Sequence, residues 1–247
     1  MRNRHPVITN LLIINFLFWL ASIALPTRYG IDVTRYLGLH YWQSDNFLPF
    51  QLVTYMFLHD TGSMTHLLCN MFGVWMFGRT LEEVWGGKKF LFFYFVAGIG
   101  AGIVQEATWY IDFGTMIQDF DAAIQAGSGA SLEKYQSMLA QGDITQASAS
   151  DLISLRSQLL NALVTVGASG ALFGMLLAFG WLFPKQRIYL YFLIPIPAWV
   201  FVAAYAVLEL CAGMVGPADG VAHFAHLGGM LFAAILLLLW KKQGKLY

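Results

Sequence analysis

The hydrophobic positions of this chain gather in six long blocks bounded by charge, Pro or Gly: Val7 to Leu25, His66 to Leu81, Phe90 to Thr108, Leu163 to Phe183, Ile188 to Leu208 and Ala222 to Trp240. A helix needs roughly 20 predominantly apolar residues to cross the hydrocarbon core of a bilayer. Each block therefore predicts a transmembrane helix; the second is short, but its neighbourhood is apolar too. The expected class is all-α, a polytopic integral membrane protein with six spans. The first block follows Arg2 and Arg4, and Ala21 and Ala24 imitate a signal-peptide cleavage site. A multispanning protein needs no cleaved signal, and Pro26 is a poor residue to follow a scissile bond.

Between the third and fourth blocks the pattern changes. Gln105 to Gln158 is polar and rich in Ala, Gln, Ser and Asp, and is read as an insertion (105–158) within a single membrane domain covering 1–247. In its first part Trp109, Phe113, Met116, Ile117, Phe120 and Ile124 recur at helical spacing, opposite Asp112, Asp119 and Asp121. Such a face suits an amphipathic helix lying on the outer leaflet or an ordinary packed extramembrane hairpin. The loop from Pro26 to Met64 carries Tyr36, Tyr41, Trp42, Phe47 and Phe50, aromatics suited to the membrane interface.

Composition strengthens the membrane reading: 58% of the 247 residues are hydrophobic, 11% are charged, and the mean hydropathy is +0.60. Lys plus Arg equals Asp plus Glu at 14 each, so net charge gives no reason to expect a nucleic-acid partner. The distribution is more informative. With the N-terminus inside, Arg2, Arg4, Arg79, Lys88, Lys89, Lys185, Arg187, Lys241, Lys242 and Lys245 are cytoplasmic, leaving Arg28, Arg35, Lys134 and Arg156 outside. The positive-inside rule then places both termini in the cytoplasm and the insertion outside. Cys69 and Cys211 lie inside apolar blocks, where a buried thiol acts as a small hydrophobe.

Polar groups inside membrane spans are functional candidates by default. The fourth block contains Gly167-Ala168-Ser169-Gly170-Ala171-Leu172-Phe173-Gly174. At about 1.5 Å per residue, Ser169 is expected roughly 9 Å below the outer start of that helix. Taken alone the segment equally suits close helix packing through Gly170 and Gly174. The sixth block opens with Ala222-His223-Phe224-Ala225-His226-Leu227-Gly228-Gly229, where Ala225 and Gly229 would let a neighbouring backbone approach His226. In the second block, the four-residue spacing puts His66 and Asn70 on one helix face. The pair suits the donors of an oxyanion site or a polar link between helices.

Together these are the parts of acyl transfer: a hydroxyl (Ser169), an imidazole base (His226) and amide-type donors (His66, Asn70, the Ser169 N–H). His223 is the rival base. No carboxylate is placed by the sequence to orient His226: Asp219 lies seven residues earlier and Glu209 ends the fifth block. A catalytic dyad is expected, with Phe173, four residues after Ser169, positioned to stack on the imidazole.

His66-xxx-Asn70, Gly167-x-Ser169-Gly170 and Ala225-His226-xx-Gly229, in that order, resemble the rhomboid family of intramembrane serine proteases. The resemblance implies that Ser169 is the nucleophile, His226 the base, and His66 and Asn70 oxyanion ligands. It implies membrane-anchored protein substrates cut in or near their transmembrane segments. The chain departs from the family pattern where Phe50-Gln51 replaces Trp-Arg, Phe173 replaces a common tyrosine and Ala233 replaces a usual Gly. The expected setting is a lipid bilayer, as a prokaryotic plasma membrane protein. No cofactor or metal is expected, and no oligomeric state follows from the sequence. His59, His66, His223 and His226 evoke a metalloprotease, but no His-Glu-x-x-His occurs. An aspartyl site fails because Gly142-Asp143 lies in the insertion. The remaining alternatives are a catalytically inactive rhomboid-like membrane-protein binding factor and a transporter, for which no inverted repeat is visible.

Overall fold

The computed structural model describes residues 5–139, 143–190, 193–215 and 221–247 of the chain. Arg2, Arg4, Gly142 and Asp219, used above for topology or weighed as site residues, lie outside the described residues. Nine helices dominate the described residues: α1 (Pro6–Tyr29), α2 (Val33–Leu37), α3 (Gln51–Thr54), α4 (Met64–Ala126), α5 (Gln136–Leu139), α6 (Ala149–Ala162), α7 (Ser169–Leu182), α8 (Ala198–Val215) and α9 (His223–Lys242). The chain is an all-α, polytopic membrane protein. By length and apolarity α1, α4, α8 and α9 can each cross a bilayer, and α7 is a shorter apolar helix of 14 residues.

The outward faces explain why these helices need lipid. On α1, Ile13, Ile14, Phe16, Leu17, Leu20 and Ile23 are all exposed. In water such a surface would be covered by a partner or aggregate. Inside α1 the buried Asn15 and Ser22 each donate a side-chain hydrogen bond to their own helix, Asn15 Nδ2 to Leu11 O at 2.7 Å and Ser22 Oγ to Phe18 O at 2.9 Å, which keeps those donors paired away from water. Cys69 and Cys211 are exposed and unpaired as disulfides, which corrects their expected burial.

Several boundaries differ from the hydropathy blocks, each for a local reason. The second and third blocks fall in the 63 residues of α4, interrupted at Gly86, whose φ of 71° and ψ of 159° only glycine adopts readily. Glu82, in α4, holds the start of α1. It is buried, and its two oxygens accept the Val7 and Ile8 N–H groups at 3.0 Å each, holding the first turn of α1. The helix of the fourth block, α7, begins at Ser169, six residues later than its apolar block. The fifth block opens not as helix but as an antiparallel hairpin, Arg187–Leu190 against Ile194–Pro197, with Arg187 opposite Pro197 and Tyr189 opposite Pro195. Pro195 and Pro197 therefore lie in the hairpin that precedes α8.

The chain divides into two compact units: 1–39, 49–105 and 165–247 form the first, and 40–48 with 106–164 form the second. In the first unit α7 packs closely on α9 because glycines remove the side chains between them. A Cβ on Gly229 would lie 1.9 Å from the Gly170 carbonyl oxygen, and one on Gly174 would lie 3.1 Å from the Gly229 carbonyl oxygen. The loop before α4 is anchored by Gln51, buried and donating to Tyr36 O at 3.1 Å, and by Thr54, donating to Leu37 O at 2.7 Å.

The second unit has its own core of Met116, Phe120, Ala123, Leu132, Ile144 and Leu152, with Phe113 and Ile124 packed against it. The apolar face of 109–124 is thus turned into protein, as in a packed hairpin, rather than spread on a leaflet. Tyr41 is fully buried there, edge-on to Trp109, rather than interfacial. Helix α6 starts with a capping box: Ser148 accepts the Asp151 N–H while Asp151 accepts the Ser148 N–H. Asp119 pairs with Lys134 at 2.8 Å and accepts from Tyr135 Oη at 2.6 Å. These two contacts hold its carboxyl below the usual range.

Candidate active site

Ser169 is the first residue of α7, not a mid-helix residue. The backbone dictates this start. Gly167 has φ of +132°, a value incompatible with a right-handed helix, and its N–H donates to Tyr55 O at 2.9 Å. A helix that starts at Ser169 leaves its first amides, the Ser169 N–H among them, without acceptors inside the helix and at its positive end.

The Ser169 hydroxyl meets α9 through His226, whose Nε2 lies 2.9 Å from Oγ. The imidazole is buried and lies flat against Phe173, with ring centroids 4.2 Å apart and planes 6° apart. Ser169, Phe173 and His226 are thus brought together by the glycine-lined contact of α7 with α9. His223 Nδ1 lies 2.7 Å from Glu209 Oε2.

Glu209 corrects the expectation that no carboxylate reaches His226. Its Oε2 lies 2.8 Å from His226 Nδ1 as well as close to His223 Nδ1. The sequence set Glu209 aside because it stands at the end of an apolar block. In the fold that block begins later, the hairpin displaces α8 toward the C-terminus, and Glu209 becomes an interior, buried residue of α8 facing α9. An acidic residue in an apolar helix, with two histidines in the next helix, was the signal available.

The contact fixes proton positions. A carboxylate oxygen only accepts, so His226 Nδ1 carries its proton and Nε2 presents a lone pair to the Ser169 O–H. Glu209, His223 and His226 also bring three potential ligand atoms within 4.8 Å of one another. Hydrogen bonding already accounts for that closeness, because one carboxylate oxygen serves both rings.

His66 and Asn70 lie in the first turns of α4. The Asp60 N–H donates to His66 Nδ1 at 3.2 Å, which places the ring proton on Nε2. That edge and the Ser169 hydroxyl border the same space: a Cβ on Gly167 would lie 3.4 Å from His66 Nε2 and 3.4 Å from Ser169 Oγ. Glycine at 167 therefore keeps the space between donor and hydroxyl open. Asn70 is buried and spends one amide proton on His66 O at 2.9 Å, leaving its second N–H for another acceptor. His59, expected as a loop or interfacial residue, is buried instead, with its ring 5.3 Å from that of His66.

The residues at the site thus comprise a hydroxyl with a basic nitrogen in contact and a carboxylate behind that ring, with His66 bordering the space at Gly167 beside the hydroxyl. A family model described as Rhomboid domain matches residues 46–112 and 125–243. A search of curated proteins found no match.

Proposed function

Since the chain belongs to the rhomboid family, we propose that it is an intramembrane serine endopeptidase that cleaves membrane-anchored proteins in or near their transmembrane segments. The observation that carries this reading is the 2.9 Å contact between Ser169 Oγ and His226 Nε2 in a buried setting. A protein that only binds membrane segments needs no such contact.

In the reaction, His226 Nε2 takes the Ser169 proton as Oγ attacks the substrate carbonyl carbon. The carbonyl π pair moves onto oxygen, where the Ser169 N–H, His66 Nε2–H and the second Asn70 N–H stabilise the negative charge. His226 then returns its proton to the departing amine, the C–N bond breaks, and an acyl-Ser169 ester remains. Water, deprotonated by His226, attacks the ester carbonyl and releases the carboxylic acid product and free Ser169. The supporting residues have distinct tasks. Gly167 leaves room for the oxyanion, Gly170 and Gly229 let α7 and α9 approach, and Phe173 holds the imidazole plane. None of these steps calls for a cofactor.

The membrane supplies both the substrate class and the setting. We place both termini in the cytoplasm and the 105–158 segment outside, from the distribution of Lys and Arg, in a prokaryotic plasma membrane. The decisive test is covalent labelling of the purified protein by a fluorophosphonate, with cleavage of a model transmembrane substrate. Ser169→Ala is expected to abolish both. Labelling that persists in Ser169→Ala overturns the assignment, and a wild-type protein that neither labels nor cleaves leaves the inactive binding factor as the reading.

A further inference from the structure

Resting on that protease reading, we propose that Glu209 is the positioning residue of the base, turning the expected Ser169–His226 dyad into a Ser169–His226–Glu209 relay in which His223 shares the same carboxylate oxygen.

The geometry has three parts. Glu209 Oε2 lies 2.8 Å from His226 Nδ1, on the opposite side of the ring from Ser169, whose Oγ is 2.9 Å from Nε2. The three groups are in series, so a proton arriving at Nε2 meets a ring whose other edge is held by an anion. The carboxylate is also sequestered: the side chains of Glu209, His223 and His226 expose about a tenth of their surfaces, at 11%, 10% and 10%. A carboxylate removed from water is costly unless hydrogen-bonded, and here two ring N–H groups serve one oxygen. Finally, the Phe173 stack constrains the plane of the imidazole but not its rotation within that plane. A directional hydrogen bond at Nδ1 supplies what stacking cannot.

Glu209 thereby does two things for the reaction. It selects the Nδ1–H form of His226, which leaves Nε2 free to accept the serine proton. It also stabilises the imidazolium that forms as Ser169 attacks. His223 is the second donor to the carboxylate. By occupying the same oxygen at 2.7 Å it keeps Glu209 turned toward α9 and competes with His226 for the negative charge. The titratable groups around His226 are Ser169 on α7, Glu209 on α8, His223 on α9 and, electrostatically, His66 on α4. Tyr205 stands behind Phe173.

The test compares full-length wild type, Ser169→Ala, Glu209→Gln and Glu209→Asp in detergent or liposomes, after a thermal unfolding check. Wild type must label and cleave while Ser169→Ala does neither; if that fails, the protease reading falls and Glu209 is not the cause. Given an active wild type, Glu209→Gln keeps shape and an acceptor but loses the charge. Its kcat is expected to fall roughly 100-fold to 10,000-fold with KM little changed. The acid limb of its pH–kcat/KM profile should move to lower pH, because the imidazolium has lost its anion. Glu209→Asp should recover part of kcat. A Glu209→Gln variant with wild-type kcat and an unmoved acid limb overturns the proposal. So does a loss confined to KM, which would make Glu209 a packing residue. Should Glu209→Gln fail to fold, His223→Phe carries the test: with one donor removed, the carboxylate serves His226 alone and the acid limb moves to higher pH. An unmoved limb there overturns the proposal equally.

Discussion

The Phe173 ring lies flat on the His226 imidazole, centroids 4.2 Å apart and planes inclined by 6°. Phe173 stands one turn after Ser169 on the same helix, so one segment of α7 carries both the group that contacts His226 Nε2 and the surface that flattens its ring. Replacing Phe173 by Leu keeps apolar volume but removes the plane. A roughly 10-fold loss of kcat at unchanged folding stability is expected, on the scale of about 1 kcal/mol for an aromatic contact. Steady-state cleavage of a transmembrane substrate by the two proteins checks it; equal kcat values would make the stack incidental.

Asn70 has one amide proton committed to its own helix and one available. If the available proton serves the oxyanion, Asn70→Ala lowers turnover by roughly 10-fold to 1000-fold with little change in KM. Turnover at the wild-type rate assigns Asn70 to helix packing instead.

The close approach of α7 and α9 is a requirement of the site. Because a Cβ at 229 would stand 1.9 Å from the Gly170 oxygen, a backbone atom that cannot rotate away, Gly229→Ala must separate the helices. Overpacking of this kind costs typically 1–3 kcal/mol. The expected result is a lowered unfolding midpoint together with slower fluorophosphonate labelling of Ser169, both read on the same purified sample. Normal labelling in Gly229→Ala would show that the contact has slack.

His59 predicts a pH effect on stability. It is buried beside the His66 ring. Burial first, then the His66 ring, push its pKa from 6.5 down to about 4. The unfolded chain therefore takes up the proton first as pH falls. The stability this neutral ring represents is complete above pH 6.5 and is lost progressively as pH falls toward about 4, roughly 3 kcal/mol in all. Unfolding curves at about pH 7.5 and about pH 5 should differ for wild type and converge for His59→Phe. An identical pH difference in the variant refutes this account.

The second unit predicts a separate packing effect. Phe120 is fully buried at the centre of its core, and truncation of such a ring costs roughly 3–5 kcal/mol. Phe120→Ala should make 106–164 markedly more sensitive to limited proteolysis; a wild-type digestion pattern would mean that this core is dispensable.

The sequence alone determined what depends on composition and short spacing. Long apolar blocks announce membrane helices because hydrocarbon admits little else, and they marked all of α1 and α9 to within a few residues. Ser169 with Gly170, His226 with Gly229, and the His66–Asn70 helical pair were legible because small residues and four-residue spacing act within one or two turns. The limits of that reading follow from the same physics. Hydropathy does not register that Gly167 holds a positive φ, so the start of α7 at Ser169 came only with the fold. Nor does it separate an apolar strand from an apolar helix, so the hairpin before α8 was read as part of a span. Whether Trp109 to Ile124 faced lipid or protein depended on Leu132, Ile144 and Leu152, supplied from later in the chain. Glu209 is the clearest case. Its 17-residue separation from His226 crosses a helix connection, and only the tertiary structure decides that an acid on one helix meets an imidazole on the next. The chain determines which groups are available; the approach of helices distant in sequence determines which of them share a proton.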